Sequence, residues 1–117
     1  MGPMVRRAAW AFVNLSSCTA FEPMGLIPVN SSLRAALTSF TKLYADQFAA
    51  RGIRMNSVMP GFVDSGPEDP AFLARIPAGR YATVRETGGL VRFLVSRDAA
   101  YINGESIRID GGAARSL

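Results

Sequence analysis

Three side chains frame the chemistry open to this chain. Ser17 closes Asn14-Leu15-Ser16-Ser17, directly after the apolar run Trp10-Ala11-Phe12-Val13. Asn30 lies thirteen positions further on, and Arg34 four beyond that. At i and i+4, Asn30 and Arg34 share a face of any helix that carries them. A hydroxyl can donate and accept, and a guanidinium stays charged and offers a planar fork of N–H donors. A carboxamide hydrogen-bonds or caps a helix but does not titrate, so Asn30 is no general acid or base. The helix cap is the favoured reading of Asn30. For Ser17 the plain alternative is a turn residue after a strand; for Arg34 it is a surface arginine.

The remaining composition removes other chemistries. There is no histidine, which excludes Ser-His-Asp and Cys-His nucleophile pairs. One cysteine without histidine leaves too few ligands for zinc, so no metal site is expected. The same lone Cys18 rules out an internal disulfide and fits a reducing cytoplasm. Thirteen basic against nine acidic residues give a net charge of +4, but the arginines are dispersed along the chain. Dispersed charge reads as a solvated surface, and no nucleic-acid partner is expected. No apolar run approaches the ~20 residues that a membrane span needs. The stretch 10–13 is too short for a signal peptide.

At 117 residues and 49% hydrophobic content, one compact domain is expected. The run 8–15 reads as a buried strand, and 18–28, with two prolines and Gly25, as a loop. A helix is expected over 29–50. Leu33, Ala36, Leu37, Phe40, Leu43, Tyr44 and Phe48 form its apolar stripe, and Arg51-Gly52 its stop. A strand over 53–59 ends at Pro60-Gly61, and a short helix is expected over 70–75. Thr83-Val84-Arg85-Glu86 is a capping box that opens a helix to about Ser96. Gly88 and Gly89 lie inside that helix, each costing ~1 kcal/mol relative to alanine. Ser106 to Ile109 reads as the last strand, closed by the turn Asp110-Gly111-Gly112. The order β-α-β-α-β, with helical crossovers between apolar strands, implies a parallel sheet: an α/β fold, one part of a doubly wound, Rossmann-like domain.

Five segments in this order resemble the C-terminal half of the short-chain dehydrogenase/reductase family. They are Asn14-Leu15-Ser16-Ser17; Arg34-Ala35-Ala36-Leu37 with Phe40-Thr41-Lys42; Gly52 through Gly61; Ile76-Pro77-Ala78-Gly79-Arg80; and Tyr101-Ile102-Asn103-Gly104 leading into Ile109-Asp110-Gly111-Gly112. The resemblance runs from about Ala8 to Gly112. It implies an NAD(P)-dependent oxidoreductase acting on a small-molecule carbonyl or alcohol, using NAD or NADP. In the family a serine positions the substrate oxygen, a tyrosine carries the proton, and a lysine holds the nicotinamide ribose. Ser17 matches the serine, Asn30 stands at the tyrosine and Arg34 at the lysine. The resemblance therefore names Ser17, Asn30 and Arg34 as the catalytic positions, with Arg34 also toward the cofactor.

By the same resemblance Pro60, Gly61, Val63 and Ser65 border the nicotinamide, with the backbone near Val63 and the Ser65 hydroxyl on its carboxamide. A plain strand-ending turn is the alternative for Pro60-Gly61. None of Tyr44, Tyr81 and Tyr101 fits the tyrosine position. The family's opening strand, glycine-rich turn and helix have no counterpart here. The expectation is one partial domain over 1–117 that lacks the dinucleotide-binding half and binds cofactor weakly by itself. Family members join subunits through the helix matching 29–50, so a homo-oligomer is expected. The alternative function is a truncated, non-catalytic relative that associates with itself or with a full-length member.

Overall fold

A computed structural model of the chain describes residues 10–116. Strands β1 (Trp10–Leu15), β2 (Ile53–Pro60) and β3 (Ser106–Ile109) form one parallel sheet in the order β1-β2-β3. Helix α1 (Pro28–Phe48) joins β1 to β2; the one-turn α2 (Pro70–Leu73) and then α3 (Val84–Val95) join β2 to β3. The expected α/β order is observed. Positions 8 and 9 of the expected first strand lie outside the described residues. Trp10 pairs with Ile53 and Leu15 with Val58, while Ser57 pairs with Ser106 and Pro60 with Ile109.

β2 is the centre of the core. Met55, Asn56, Ser57, Val58 and Met59 are all buried. Successive strand residues point to opposite faces, so an unbroken buried run means both faces of β2 are covered. Its buried polar groups are mostly partnered. Asn56 donates to the Ile102 carbonyl at 3.0 Å and accepts from the Glu105 amide at 3.0 Å. Asn103 accepts from the Met55 amide at 3.0 Å.

α1 turns a different face to the sheet from the one its apolar stripe suggests. Its buried residues are Ser31, Thr41 and Ala45, whereas Leu33, Phe40 and Leu43 are 65%, 50% and 69% exposed. Small side chains let the helix lie close to the strands, and their hydroxyls are satisfied locally. Thr41 donates to the Leu37 carbonyl at 2.9 Å and accepts from Asn14 at 3.0 Å. The aromatics form a ladder along the helix flank, with ring centroids 5.7 Å apart for Phe40–Tyr44 and 4.4 Å for Tyr44–Phe48. Phe12 of β1 meets Tyr44 edge-on at 6.2 Å. Helical periodicity finds the helix, but with small polar residues on the opposing face it does not say which face is covered.

The stop and start signals read from the residues are present. Gly52 takes φ 76° after the turn Ala49–Arg51 and donates to the Ala49 carbonyl at 3.0 Å. At α3, Thr83 accepts from the Glu86 amide at 3.0 Å and Glu86 accepts from the Thr83 amide at 2.9 Å. The short helix is one turn, shorter than the expected 70–75. Asp69 caps it by accepting from the Ala71 amide at 2.8 Å.

Candidate active site

The carboxyl ends of parallel strands are where an open α/β sheet places its ligands. Ser17 follows the end of β1, Pro60 ends β2, and α1 starts from the same edge because it leads back from β1 to β2. The Ser16 amide extends the ladder to the Val58 carbonyl at 2.8 Å. Its buried hydroxyl donates to the Arg34 carbonyl at 3.1 Å and lies 3.1 Å from the Thr38 hydroxyl. The Arg34 guanidinium in turn donates to the Leu15 carbonyl. Two hydrogen bonds in opposite senses thus pin Arg34 to the strand end that carries Ser17. One guanidinium N–H is used there, out of the five that arginine offers.

Ser17 is extended, with φ −156° and ψ 154°, and caps the following 3-10 turn Cys18–Ala20. Its Oγ accepts from the Thr19 amide at 3.3 Å and from the Thr19 hydroxyl at 3.1 Å. Burial raises the neighbouring Cys18 thiol above its ordinary pKa; hydrogen bonding to Ser17 opposes the rise, and Asp110 and Glu22 add to it. The C-terminal residues return to this edge. Glu22 accepts from the amides of Arg115 and Ser116, and those bonds, the Ser116 one first, hold its carboxyl below the usual range. Arg108 donates to the Ser116 carbonyl at 2.8 Å.

Asn30 is not the helix cap. Ile27 occupies that position without a side-chain bond, Pro28 opens the helix, and Asn30 is its third residue. Proline preorganises the first turn and needs no amide partner, so no capping side chain is required. Asn30 is exposed on that turn, and its carboxamide makes no hydrogen bond among the described residues. Tyr44 belongs to the aromatic ladder.

At the end of β2, Gly61 has an intramolecular reason to be glycine. A Cβ there would stand 3.0 Å from Asp110 Cβ and 3.2 Å from its Cα, and the Gly61 amide donates to the Ile109 carbonyl at 3.1 Å. The strand-ending reading is therefore sufficient for Gly61. Val63 then forms an isolated parallel bridge with Ala82. The bridge uses the Phe62 carbonyl, at 3.0 Å from the Ala82 amide, and the Asp64 amide, at 2.9 Å from the Ala82 carbonyl. Val63's own N–H and C=O take no part in it, and they make no hydrogen bond among the described residues. A free donor and a free acceptor on one residue suit a carboxamide.

Gly61, Val63 and Ser65 line an open cleft of about 950 Å³ together with Phe62, Phe72 and Tyr81. Phe62 stacks on Phe72 at 4.7 Å and on Tyr81 at 5.4 Å. Tyr81 is buried, and its hydroxyl accepts from the Asp69 amide at 3.0 Å. Reading the residues in order misses this aromatic wall. Its members lie on a strand end, a one-turn helix and a loop, so no local period joins them. The closing turn is as expected: Gly111 and Gly112 take φ 62° and 86°, and Asp110 accepts from the amides of Gly112 at 3.0 Å and Ala114 at 2.9 Å.

Residues 1–114 match the family described as Enoyl-(Acyl carrier protein) reductase. The chain is 32% identical to the 2-dehydro-3-deoxy-D-gluconate 5-dehydrogenase of Bacillus subtilis (strain 168), over 93% of this chain and 46% of that protein. It is 32% identical to the 3-oxoacyl-(acyl-carrier-protein) reductase FabG of Vibrio harveyi, over 93% of this chain and 48% of the other. To the enzyme of that name from Escherichia coli (strain K12) it is 38% identical, over 70% of this chain and 36% of the other. The chain thus spans about half the length of the relatives it matches. With a parallel sheet whose strand ends carry Ser17 and the Pro60–Ser65 segment, and with these matches, the chain belongs to the short-chain dehydrogenase/reductase family.

Proposed function

We propose that this chain carries the substrate side of an NAD(P)-dependent oxidoreductase acting on a small-molecule carbonyl or alcohol. The observation that carries the reading is Val63: it lines the cleft just past the end of the central strand, and its N–H and C=O make no hydrogen bond among the described residues. These groups and the Ser65 hydroxyl fit the carboxamide of a nicotinamide, and the spare donors of Arg34 fit the ribose. NAD or NADP, when bound, supplies or takes the hydride. Ser17 Oγ orients the substrate oxygen. Asn30 cannot titrate, so the product oxygen receives its proton from water through the Ser17 hydroxyl, with Asn30 as that water's second partner.

The proposed domain is partial over 1–117: the chain spans 46% of the Bacillus subtilis relative, and we assign the family's phosphate-binding contacts to the remainder. Cofactor binding by this chain alone is therefore expected to be weak. The proposed assembly is a homo-oligomer through α1, whose Leu33, Phe40 and Leu43 face outward. Among the described residues no helix is long and apolar enough to cross a membrane. A cytoplasmic location suits the single thiol, Cys18.

Titration with NADH and NADPH, followed by amide resonances, tests the reading. Shifts confined to Val63, Ser65 and the start of α1 are expected only at high micromolar or millimolar cofactor. No shift there at saturation of solubility overturns the cofactor assignment, and low-micromolar binding overturns the expected weakness. Replacing Asn30 by tyrosine is expected to raise ketone reduction by up to ~10²-fold, the lower end of what a positioned proton carrier contributes. No gain on any ketone in a panel would count against Asn30 as the proton-carrier position.

A further inference from the structure

The cleft beyond β2 is charged oppositely to the rest of the protein. The chain carries a net +4. Yet among the described residues no lysine or arginine lines this cleft, whereas Glu68 and Asp69 do. Asp69 is committed to capping α2 through its bond to the Ala71 amide at 2.8 Å. The exposed Glu68 carboxylate makes no ion pair or hydrogen bond among the described residues. Arg80, the nearest cation in sequence to Tyr81, donates to the Tyr81 carbonyl at 3.2 Å, but its charge is matched by a two-pronged pair with Glu86 at 2.7 and 2.8 Å. The same cleft carries the stacked wall of Phe62, Phe72 and Tyr81, whose one polar tip is already bonded to the Asp69 amide. Flat rings favour a flat apolar guest by offset stacking. Two carboxylates, with no lysine or arginine beside them among the described lining residues, disfavour an anionic one.

We infer that the substrate class of this site is an uncharged ketone or secondary alcohol bearing a flat apolar group, with carboxylated and phosphorylated analogues rejected by Glu68 and Asp69. The inference rests on the oxidoreductase reading for the reacting group and on the cleft for the selectivity. The unpartnered Glu68 supplies the discrimination, because Asp69's charge is partly spent on the helix cap. The aromatic wall supplies the affinity.

Binding of acetophenone and of 4-acetylbenzoate to the full chain at pH 7, read by amide and aromatic resonances without cofactor, tests it. Acetophenone is expected to shift Phe62, Phe72 and Tyr81 at millimolar concentration, with 4-acetylbenzoate at least about fivefold weaker, a modest repulsion for a water-filled mouth. Phe72→Ala should lose both ligands. Glu68→Gln, at an exposed position that does not test folding, should bring the two to within about twofold by tightening 4-acetylbenzoate. Equal or tighter binding of the carboxylate, an unmoved ratio in Glu68→Gln, or shifts outside the aromatic wall would overturn the inference. Because the readout uses no cofactor, these shifts with no ketone reduction would sink the oxidoreductase reading alone. Reduction of ketones with no preference for the neutral ligand would sink the selectivity alone.

Discussion

Gly61 and Asp110 bring the ends of β2 and β3 closer together than a side chain ordinarily sits: a Cβ on Gly61 would meet Asp110 Cβ at 3.0 Å, so the neighbour would have to give by a few tenths of an ångström. The Gly61 amide is bonded to the Ile109 carbonyl at 3.1 Å, so the two strand ends cannot part without losing that bond. Gly61→Ala is therefore expected to destabilise the fold by about 1–3 kcal/mol, the usual range for overpacking. Urea unfolding of the two proteins measures it, and an unchanged midpoint would remove the close approach as the reason for this glycine.

Gly88 and Gly89 behave in the opposite way. They sit inside α3 at ordinary helical angles, and a Cβ at either would have no neighbour within 4 Å. Their only effect on the helix is the extra backbone freedom of the unfolded chain. Gly88→Ala and Gly89→Ala are each expected to add ~1 kcal/mol and to raise Tm by about 4 °C or more. A fall in Tm for both would mean that an additional surface packs against them.

Glu86 titrates unusually low, at about 2, because Arg80 grips both its oxygens and the Thr83 amide donates to it. A depressed carboxylate contributes stability that is complete above its ordinary pKa of 4.5 and fades as pH falls toward 2. The α3 start should therefore stay capped at pH 4 and fray only below about 3. Carboxyl chemical shifts give the pKa directly. Arg80→Ala should move it up toward 4.5, the ordinary value, because the guanidinium that grips both oxygens is gone. Glu86 is exposed, so salt should weaken the Arg80 contribution as well.

Much of the architecture was legible because its signals are local. The Thr83–Glu86 box, Gly52 after α1 and the double glycine after β3 each mark a boundary within four residues of chain. The covered face of α1 was not legible, because the sheet accepts Ser31, Thr41 and Ala45 while the larger apolar residues remain outside. Ser17 and Arg34 are drawn to one strand end, but the tie runs through Ser16 and the Leu15 carbonyl, contacts that no spacing encodes. Asn30's exposure was hidden for a related reason: Pro28 settles the helix start without a polar cap.

The outward face of α1 leads to the last expectation. Leu33, Phe40 and Leu43 are at least half exposed, and Phe12, Trp10 and Leu15 of β1 are exposed as well. Among the described residues β1 is an edge of the sheet, so its outer backbone groups lack strand partners there. A domain of this size buries only ~60–68% of its unfolded surface, which leaves little margin for open apolar area. The chain is expected to sediment as a dimer or larger species at micromolar concentration. Phe40→Lys with Leu43→Glu should shift it toward monomer, because both positions are exposed on α1 and burying charge there costs desolvation in an assembly, beyond the loss of the Phe40–Tyr44 ring contact. If α1 is the contact, the double variant keeps its helical content while losing mass. If β1's edge is the contact, the double variant sediments as the parent does, and the helix-mediated assembly is wrong. A single sharp species near 12.5 kDa for the parent, unfolding cooperatively, would show that neither surface needs a partner.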